Sequence, residues 1–256
     1  MSEIQRQTFE PDGRGIPFID EGDGPALVLL PAQGLDIAYL GALASILEEE
    51  GFRILRVGSR RPGQKATMHD LARDVVDVMD AVGIDSAWIG GHAFGGAVAR
   101  TVALDHPGRA GGVLLLGVEG TRALSDDAAL AVKRAFAAPV DTDDQGAIRV
   151  LAGDGIDLDH AWHVFARSRD ADVEELQYVA LASTPVAEWA TLAQGLPVLI
   201  IQGAEDRITV PSNGDDLQAT AADRASVVRL PDAGHLFPMT HPGETAFQIE
   251  DYLGWD

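Results

Sequence analysis

Trp88-Ile89-Gly90-Gly91-His92-Ala93-Phe94-Gly95-Gly96-Ala97-Val98 is the stretch on which the reading of the fold turns: apolar residues enter it, glycines flank its middle, and a run of small and apolar residues leaves it. It reads as a strand, a tight turn and a helix. A dinucleotide-binding G-x-G-x-x-G needs its second glycine two places after its first, and from Gly90 or Gly91 that place falls on His92 or Ala93. That reading fails on spacing. The pattern G-x-S-x-G fits better, with Gly91 and Gly95 as its flanks, because glycines on either side of a strained central residue let strand and helix approach each other. The central residue here is Ala93, not serine.

Outward from that turn, 256 residues are enough for one α/β domain, or for one domain with an insertion. No apolar run approaches the roughly 20 residues of a membrane-spanning helix. With 19 Lys and Arg against 40 Asp and Glu the formal charge is −21, which disfavours nucleic acid and anionic membranes as partners. The partner expected is a small-molecule substrate, and a homodimer is compatible with the composition. The absence of cysteine excludes disulfides, thiolate metal sites and cysteine nucleophiles. Met1–Glu10 lacks the apolar centre of an export leader, so the expected location is cytoplasmic. Asp154, Asp157 and Asp159 are spaced like a sparse calcium loop but lack its glutamate, and neither metal nor cofactor is expected.

Strand, turn and helix recur along the chain. Thr8–Glu10 and Ile16–Asp20 read as opening strands, and Ala26–Leu30 (ALVLL) as a strand buried on both faces. A helix over Tyr39–Glu50 and a strand over Arg53–Val57 complete a β-α-β unit. Thr67 with Asp70 begins a helix whose apolar face is Met68, Leu71, Val75, Met79 and Val82. Ala87–Ile89, Val113–Leu116, Pro197–Ile201 and Ser226–Leu230 are further strands, with helices near 97–104, 214–222 and 244–253. Such alternation implies a mostly parallel, twisted sheet covered by helices, with ligands at the carboxyl ends of its strands.

The chain resembles the α/β-hydrolase superfamily over nearly its whole length. Three places carry the resemblance: the turn Gly91-His92-Ala93-Phe94-Gly95-Gly96, the strand end Gln202-Gly203-Ala204-Glu205-Asp206, and Asp232-Ala233-Gly234-His235 after the last strand. Their order is nucleophile, acid, base. The resemblance implies an α/β-hydrolase fold with residues 1–119 and 195–256 as the core domain and 120–194 as an inserted helical cap. Leu130, Phe136, Trp162, Phe165, Leu176, Tyr178 and Trp189 would suit such a cap, although most read better as a side bundle packing its own core. It also implies Ala93 at the nucleophile position, His235 as base and Asp206 as the acid that orients it, with Glu119 an alternative acid. Gln33 and Phe94 would supply the oxyanion-hole N–H groups, while Trp162 and His163 would reach a pocket from the cap. Pro31-Ala32 stand where the family usually carries His-Gly, so the Gln33 end of that hole matches the family less well than the turn does.

The grouping has a chemical reason. A hydroxyl at neutral pH is a weak nucleophile until an imidazole takes its proton, and the imidazole needs an acid to fix its tautomer. Without a hydroxyl at Ala93 no acyl-enzyme can form there, which leaves three readings. The residue replaces a serine in a hydrolase of esters, lactones, thioesters or carbon–carbon bonds, as an inactive Ser-to-Ala variant. Alternatively, alanine is native and His235 is a general base without covalent catalysis, serving hydration, lyase, isomerase or cyclase chemistry. In the third reading the pocket only binds.

Overall fold

Short apolar runs bounded by glycine, proline and aspartate become the strands of one sheet, and the periodic segments between them become its helices. The computed structural model describes residues 5–61, 63, 65–140, 142 and 144–254, so residues 1–4 of the segment read for an export leader lie outside it. Strands β1 (Gln7–Phe9), β2 (Ile16–Glu21) and β3 (Ala26–Leu30) come first. Helix α1 (Gly41–Glu49), β4 (Arg53–Val57), α2 (Met68–Ala81), β5 (Ala87–Ala93), α3 (Phe94–Asp105) and β6 (Ala110–Val118) follow. Next come α4 (Asp126–Ala137), α5 (Gln145–Ala152), α6 (Leu158–Ser168) and α7 (Ala171–Ser183). The chain returns to the sheet with β7 (Val198–Gly203), α8 (Pro211–Ala219), β8 (Ala225–Leu230), the short α9 (Phe237–Thr240) and α10 (Pro242–Leu253).

The strand order is β1-β2-β4-β3-β5-β6-β7-β8. Strand β2 runs antiparallel to both neighbours, and every pairing from β4 across to β8 is parallel. This is the mostly parallel, helix-covered sheet expected from the sequence. Side chains alternate along a strand, so Val28 and Leu30 join a buried cluster with Met79 of α2 and Val102 of α3, while Leu27 and Leu29 join another with Leu43 of α1 and Ile249 of α10. Two covered faces explain why β3 reads as an unbroken apolar run. Each such side chain withdrawn from water contributes about 1.5–3 kcal/mol. Thr67 and Asp70 form the reciprocal capping box that starts α2.

The helices between β6 and β7 pack onto these same clusters: Ala131, Ile148 and Phe165 extend the second, and Leu176 and Ala180 the first. Leu130 and Tyr178 face solvent. No helix among the described residues is long and apolar enough to cross a membrane.

Several boundaries differ from the sequence reading. Strand β5 continues past Ile89 to Ala93, because Gly90 and Gly91 keep the chain extended between β3 and β6, and α3 therefore begins at Phe94 with no loop between. The helix expected from Tyr39 opens instead as a 3-10 turn over Ile37–Leu40, with Asp36 accepting from the Ala38 N–H, and becomes α-helical at Gly41. Proline in the first turn lets α8 and α10 start earlier, at Pro211 and Pro242.

The turn from β5 to α3 leaves no room for a methyl group. A β-carbon on Gly95 would stand 2.3 Å from the Leu30 carbonyl oxygen, and one on Gly91 would stand 2.2 Å from the Gly95 carbonyl carbon. Gly91→Ala and Gly95→Ala are each expected to lower the unfolding free energy by about 1–3 kcal/mol or more. Gly108→Ala, whose methyl group would meet nothing within 4 Å, should stay within about 0.5 kcal/mol of the parent. Urea unfolding at unchanged m-value checks the contrast.

Candidate active site

Ala93 is the last residue of β5 and directly precedes the first turn of α3, with φ 48° and ψ −108°. A non-glycine residue held there stores about 1–3 kcal/mol of backbone strain. The result is that its β-carbon stands in a cavity wall at the carboxyl edge of the sheet, while Phe94 presents the first unpaired N–H of α3.

Asp206 and His235 approach the same edge from two later loops. Asp206 is 3% exposed, and its carboxylate is well supplied with donors. Its Oδ1 accepts from the backbone N–H groups of Ile208 and Thr209, both at 2.8 Å, and its Oδ2 accepts from the Thr209 hydroxyl at 2.6 Å. The same Oδ2 lies 3.1 Å from Nδ1 of His235, itself 7% exposed. Thr209 Oγ is also 3.1 Å from that Nδ1. These contacts fix the tautomer. The hydroxyl has one hydrogen, which goes to Asp206, so toward His235 it can only accept, and the carboxylate can only accept as well. Nδ1 therefore carries the proton and Nε2 is left as the base. Nothing in the sequence singles out Thr209 except its place three residues after Asp206.

Aromatic rings back the imidazole. His92 packs against His235 with ring centroids 4.5 Å apart, and Tyr39 stacks on His92 at 5.6 Å. Burial, reinforced by the charge of His235, holds His92 well below the usual imidazole range, so it is a neutral wall. Burial likewise pushes the Tyr39 phenol well above its usual value.

A cavity of about 170 Å³ joins these groups. Ala93, His235, Gln33 and Glu119 lie in its wall, and Val132, Phe136, Leu151 and Phe165, from the helices between β6 and β7, close it from the other side. The Gln33 N–H donates to no described residue. Trp162 and His163, expected at this pocket, are absent from its wall. His163 is exposed on the outer face of α6, and Trp162 is buried beneath the Arg169 guanidinium, which lies 5.4 Å over its ring. Helical spacing turns Phe165 inward in their place.

Glu119, the rival acid, shares the cavity but is not hydrogen-bonded to His235. Its carboxylate accepts no hydrogen bond from a described residue. Burial pushes it above the usual carboxylate range, against the opposing charges of His235 and Arg100. Arg100 is itself buried, donating to the Glu119 and Ala190 carbonyls, and burial lowers its guanidinium to about 10. No cluster of three or more His, Cys, Asp or Glu side chains able to hold a metal ion occurs among the described residues.

The sequence model of the alpha/beta hydrolase family matches residues 27–248. The protein named "Putative carbamate hydrolase RutD" of Variovorax paradoxus (strain S110) is 32% identical over 101 residues, and the match covers 37% of this chain and 38% of that protein. The matched part is thus well under two thirds of that relative. A thermophilic esterase from Thermogutta terrifontis is 24% identical with a TM-score of 0.78, covering 97% of this chain and 98% of that one. The 2-hydroxy-6-oxo-6-phenylhexa-2,4-dienoate hydrolase of Rhodococcus sp. strain RHA1 is 19% identical with a TM-score of 0.79, covering 98% and 99%. At these identities the two structures speak for the fold alone.

The Glu119 shift predicts a pH dependence. A carboxyl whose value is raised on folding holds its proton longer in the native state, so its contribution is full below the unfolded value and is lost as pH rises through the folded one. Glu119→Gln removes that loss. Relative to the parent, the variant should gain unfolding free energy as pH rises from 4 to 8, with no gain below the ordinary carboxylate value of about 4.3. Urea unfolding across that range measures it, and a gain confined to low pH would contradict the assignment.

Proposed function

This chain belongs to the alpha/beta hydrolase family, and on that premise we propose that its cavity takes a small carbonyl compound, an ester, lactone, thioester or cleavable ketone, at a serine-hydrolase site in which Ala93 stands in place of the nucleophile. The observation that carries this reading is the buried Asp206–Thr209–His235 array sharing a cavity with a strained residue at the strand-to-helix turn. In this reading residues 120–194 are a cap, and 1–119 with 195–256 are the core that holds the chemistry.

The geometry supports these roles. With Nδ1–H held by Asp206, His235 Nε2 takes the proton of an attacking hydroxyl, and the carboxylate stabilises the resulting imidazolium. The N–H groups of Phe94 and Gln33 receive the negative charge that develops on the carbonyl oxygen. A serine at position 93 would attack the carbonyl carbon, its proton passing through His235 to the leaving group, and water would then release the acid by the same route. Alanine cannot take that path, and loss of the nucleophile alone costs roughly 10⁶ in turnover. A second reading has one observation in its favour. The base His235 and the carboxyl of Glu119, which burial raises above the usual carboxylate range, line one cavity, so two proton-exchanging groups face a substrate there without need of a covalent step.

Three proteins test this: the chain with Ala93, Ala93→Ser, and Ala93→Ser with His235→Ala. Ala93→Ser is expected to be labelled by a serine-directed phosphonate and to hydrolyse short aryl esters or lactones. The double variant should lose both by about 10⁴-fold or more. Turnover by the Ala93 protein that disappears with His235→Ala would favour the non-covalent reading. A folded Ala93→Ser protein that takes no label would end the serine-hydrolase reading.

A further inference from the structure

The loop after β3, which carries Gln33, is fastened to the helices between β6 and β7 more than to the sheet. Gly34 donates its N–H to Gln177 Oε1 at 2.7 Å, and its carbonyl accepts the Asp170 N–H at 2.8 Å. Asp36 N–H donates to the Ser168 carbonyl at 2.8 Å, and Gln33 Nε2 donates to the Glu174 carbonyl at 3.4 Å. Within the loop, the Leu35 N–H closes a turn on the Ala32 carbonyl at 3.2 Å, and Gly34, its third residue, has φ 67°. That is the position where a type II turn needs positive φ. The peptide between Gln33 and Gly34 is the one whose reversal separates type II from type I, and Gln177 holds its N–H.

Gln177 is unusual for its place. It is 2% exposed on α7, on the face that carries Leu176 and Ala180, where an amide left without partners would be destabilising. Both ends are spent: Oε1 on Gly34, and Nε2 on Ser59 Oγ at 2.8 Å. The turn also lies close against these helices: a β-carbon at Gly34 would stand 2.6 Å from the Phe136 ring and 3.0 Å from the Glu174 β-carbon.

We propose that Gln177 is a positioning residue for the oxyanion loop: by holding the Gly34 N–H it keeps the turn in one orientation and Gln33 in the cavity wall beside Ala93. The proposal rests on the serine-hydrolase reading for its catalytic consequence and on hydrogen bonding alone for its structural one. Oxyanion contacts are made in the transition state, so a displaced donor is expressed in kcat rather than in KM.

The experiment has two arms. In the Ala93 protein, amide exchange by NMR is compared between the parent and Gln177→Met, an unbranched side chain of similar length that cannot replace the amide acceptor; Gln177→Leu substitutes if the first fails to fold. Exchange at Gly34 should accelerate at least tenfold, with distant α2 amides unchanged. In the Ala93→Ser background, Gln177→Met should lower kcat and the phosphonate labelling rate by 10- to 100-fold, with KM within threefold. Gln177→Glu, which still accepts from Gly34, should restore most of the loss, and Ser59→Ala, which leaves that bond intact, should stay within threefold of its parent. Unchanged Gly34 exchange in a folded Gln177→Met protein overturns the proposal. So does a loss in kcat that Gln177→Glu shares in full. If Ala93→Ser with Gln177 intact is inert, the serine-hydrolase reading falls and the exchange arm alone decides whether Gln177 holds the turn.

Discussion

Strand β5 passes into helix α3 without a loop only because two stretches of backbone touch where side chains would otherwise stand. Gly91 lies against Gly95, and Gly95 against the carbonyl end of β3. The contact brings the first turn of α3 against the centre of the sheet, and the remaining geometry follows. Ala93 takes φ 48° because the chain must reverse within one residue. The strain of about 1–3 kcal/mol is small beside the apolar burial of β3, β5 and β6, where a single leucine or valine contributes a comparable amount. A well-packed sheet can hold such a residue; an exposed loop would relax it.

The second determinant is the supply of hydrogen bonds to carboxylates. Asp206 and Glu119 both lie at the carboxyl edge of the sheet near His235, and sequence order alone does not choose between them. Asp206 receives two backbone N–H groups and a hydroxyl besides the imidazole, whereas no described residue donates to the Glu119 carboxylate. A buried carboxylate needs such donors to remain charged. The tight turn after β7 supplies them to Asp206 through residues only two and three places on, so this carboxylate comes with its own solvation. Glu119 follows the end of β6, where the neighbouring cation, Arg100, is engaged by backbone carbonyls.

Much of this was legible in the sequence for a physical reason. A strand buried on both faces must be an unbroken apolar run, and a turn with touching backbones must be glycine on both sides, so Ala26–Leu30 and Gly91 to Gly95 announce themselves. The positions of Asp206 and His235 were reachable because each follows a strand whose end the pattern marks. Thr209 was not, since a threonine in a turn is common and its value lies in which proton it has left to give. Trp162 and His163 were misplaced for a related reason: aromatic and histidine residues suggest a pocket by type, but only the phase of α6 decides that Phe165 faces inward. The opening of β5 into α3 at Phe94 rather than Ala97 was hidden by glycine, which carries no side-chain signal for either state.

The site is thus assembled from parts with different mechanical supports. Ala93 ends a strand of the sheet, and Asp206 and His235 stand on short loops that follow two others, β7 and β8. Gln33 hangs from a loop whose partners are mostly on α6 and α7, in the acidic stretch that interrupts the β-α rhythm of the chain. Two of those partners are backbone carbonyls, Ser168 and Glu174, and one is the amide of a side chain with no solvent to fall back on. Because α6 also supplies Phe165 to the cavity wall, a ligand that presses on that wall also presses on one of the supports of the loop. The sheet fixes where the His235 imidazole and the Phe94 N–H stand, whereas the position of Gln33 depends on how these helices sit.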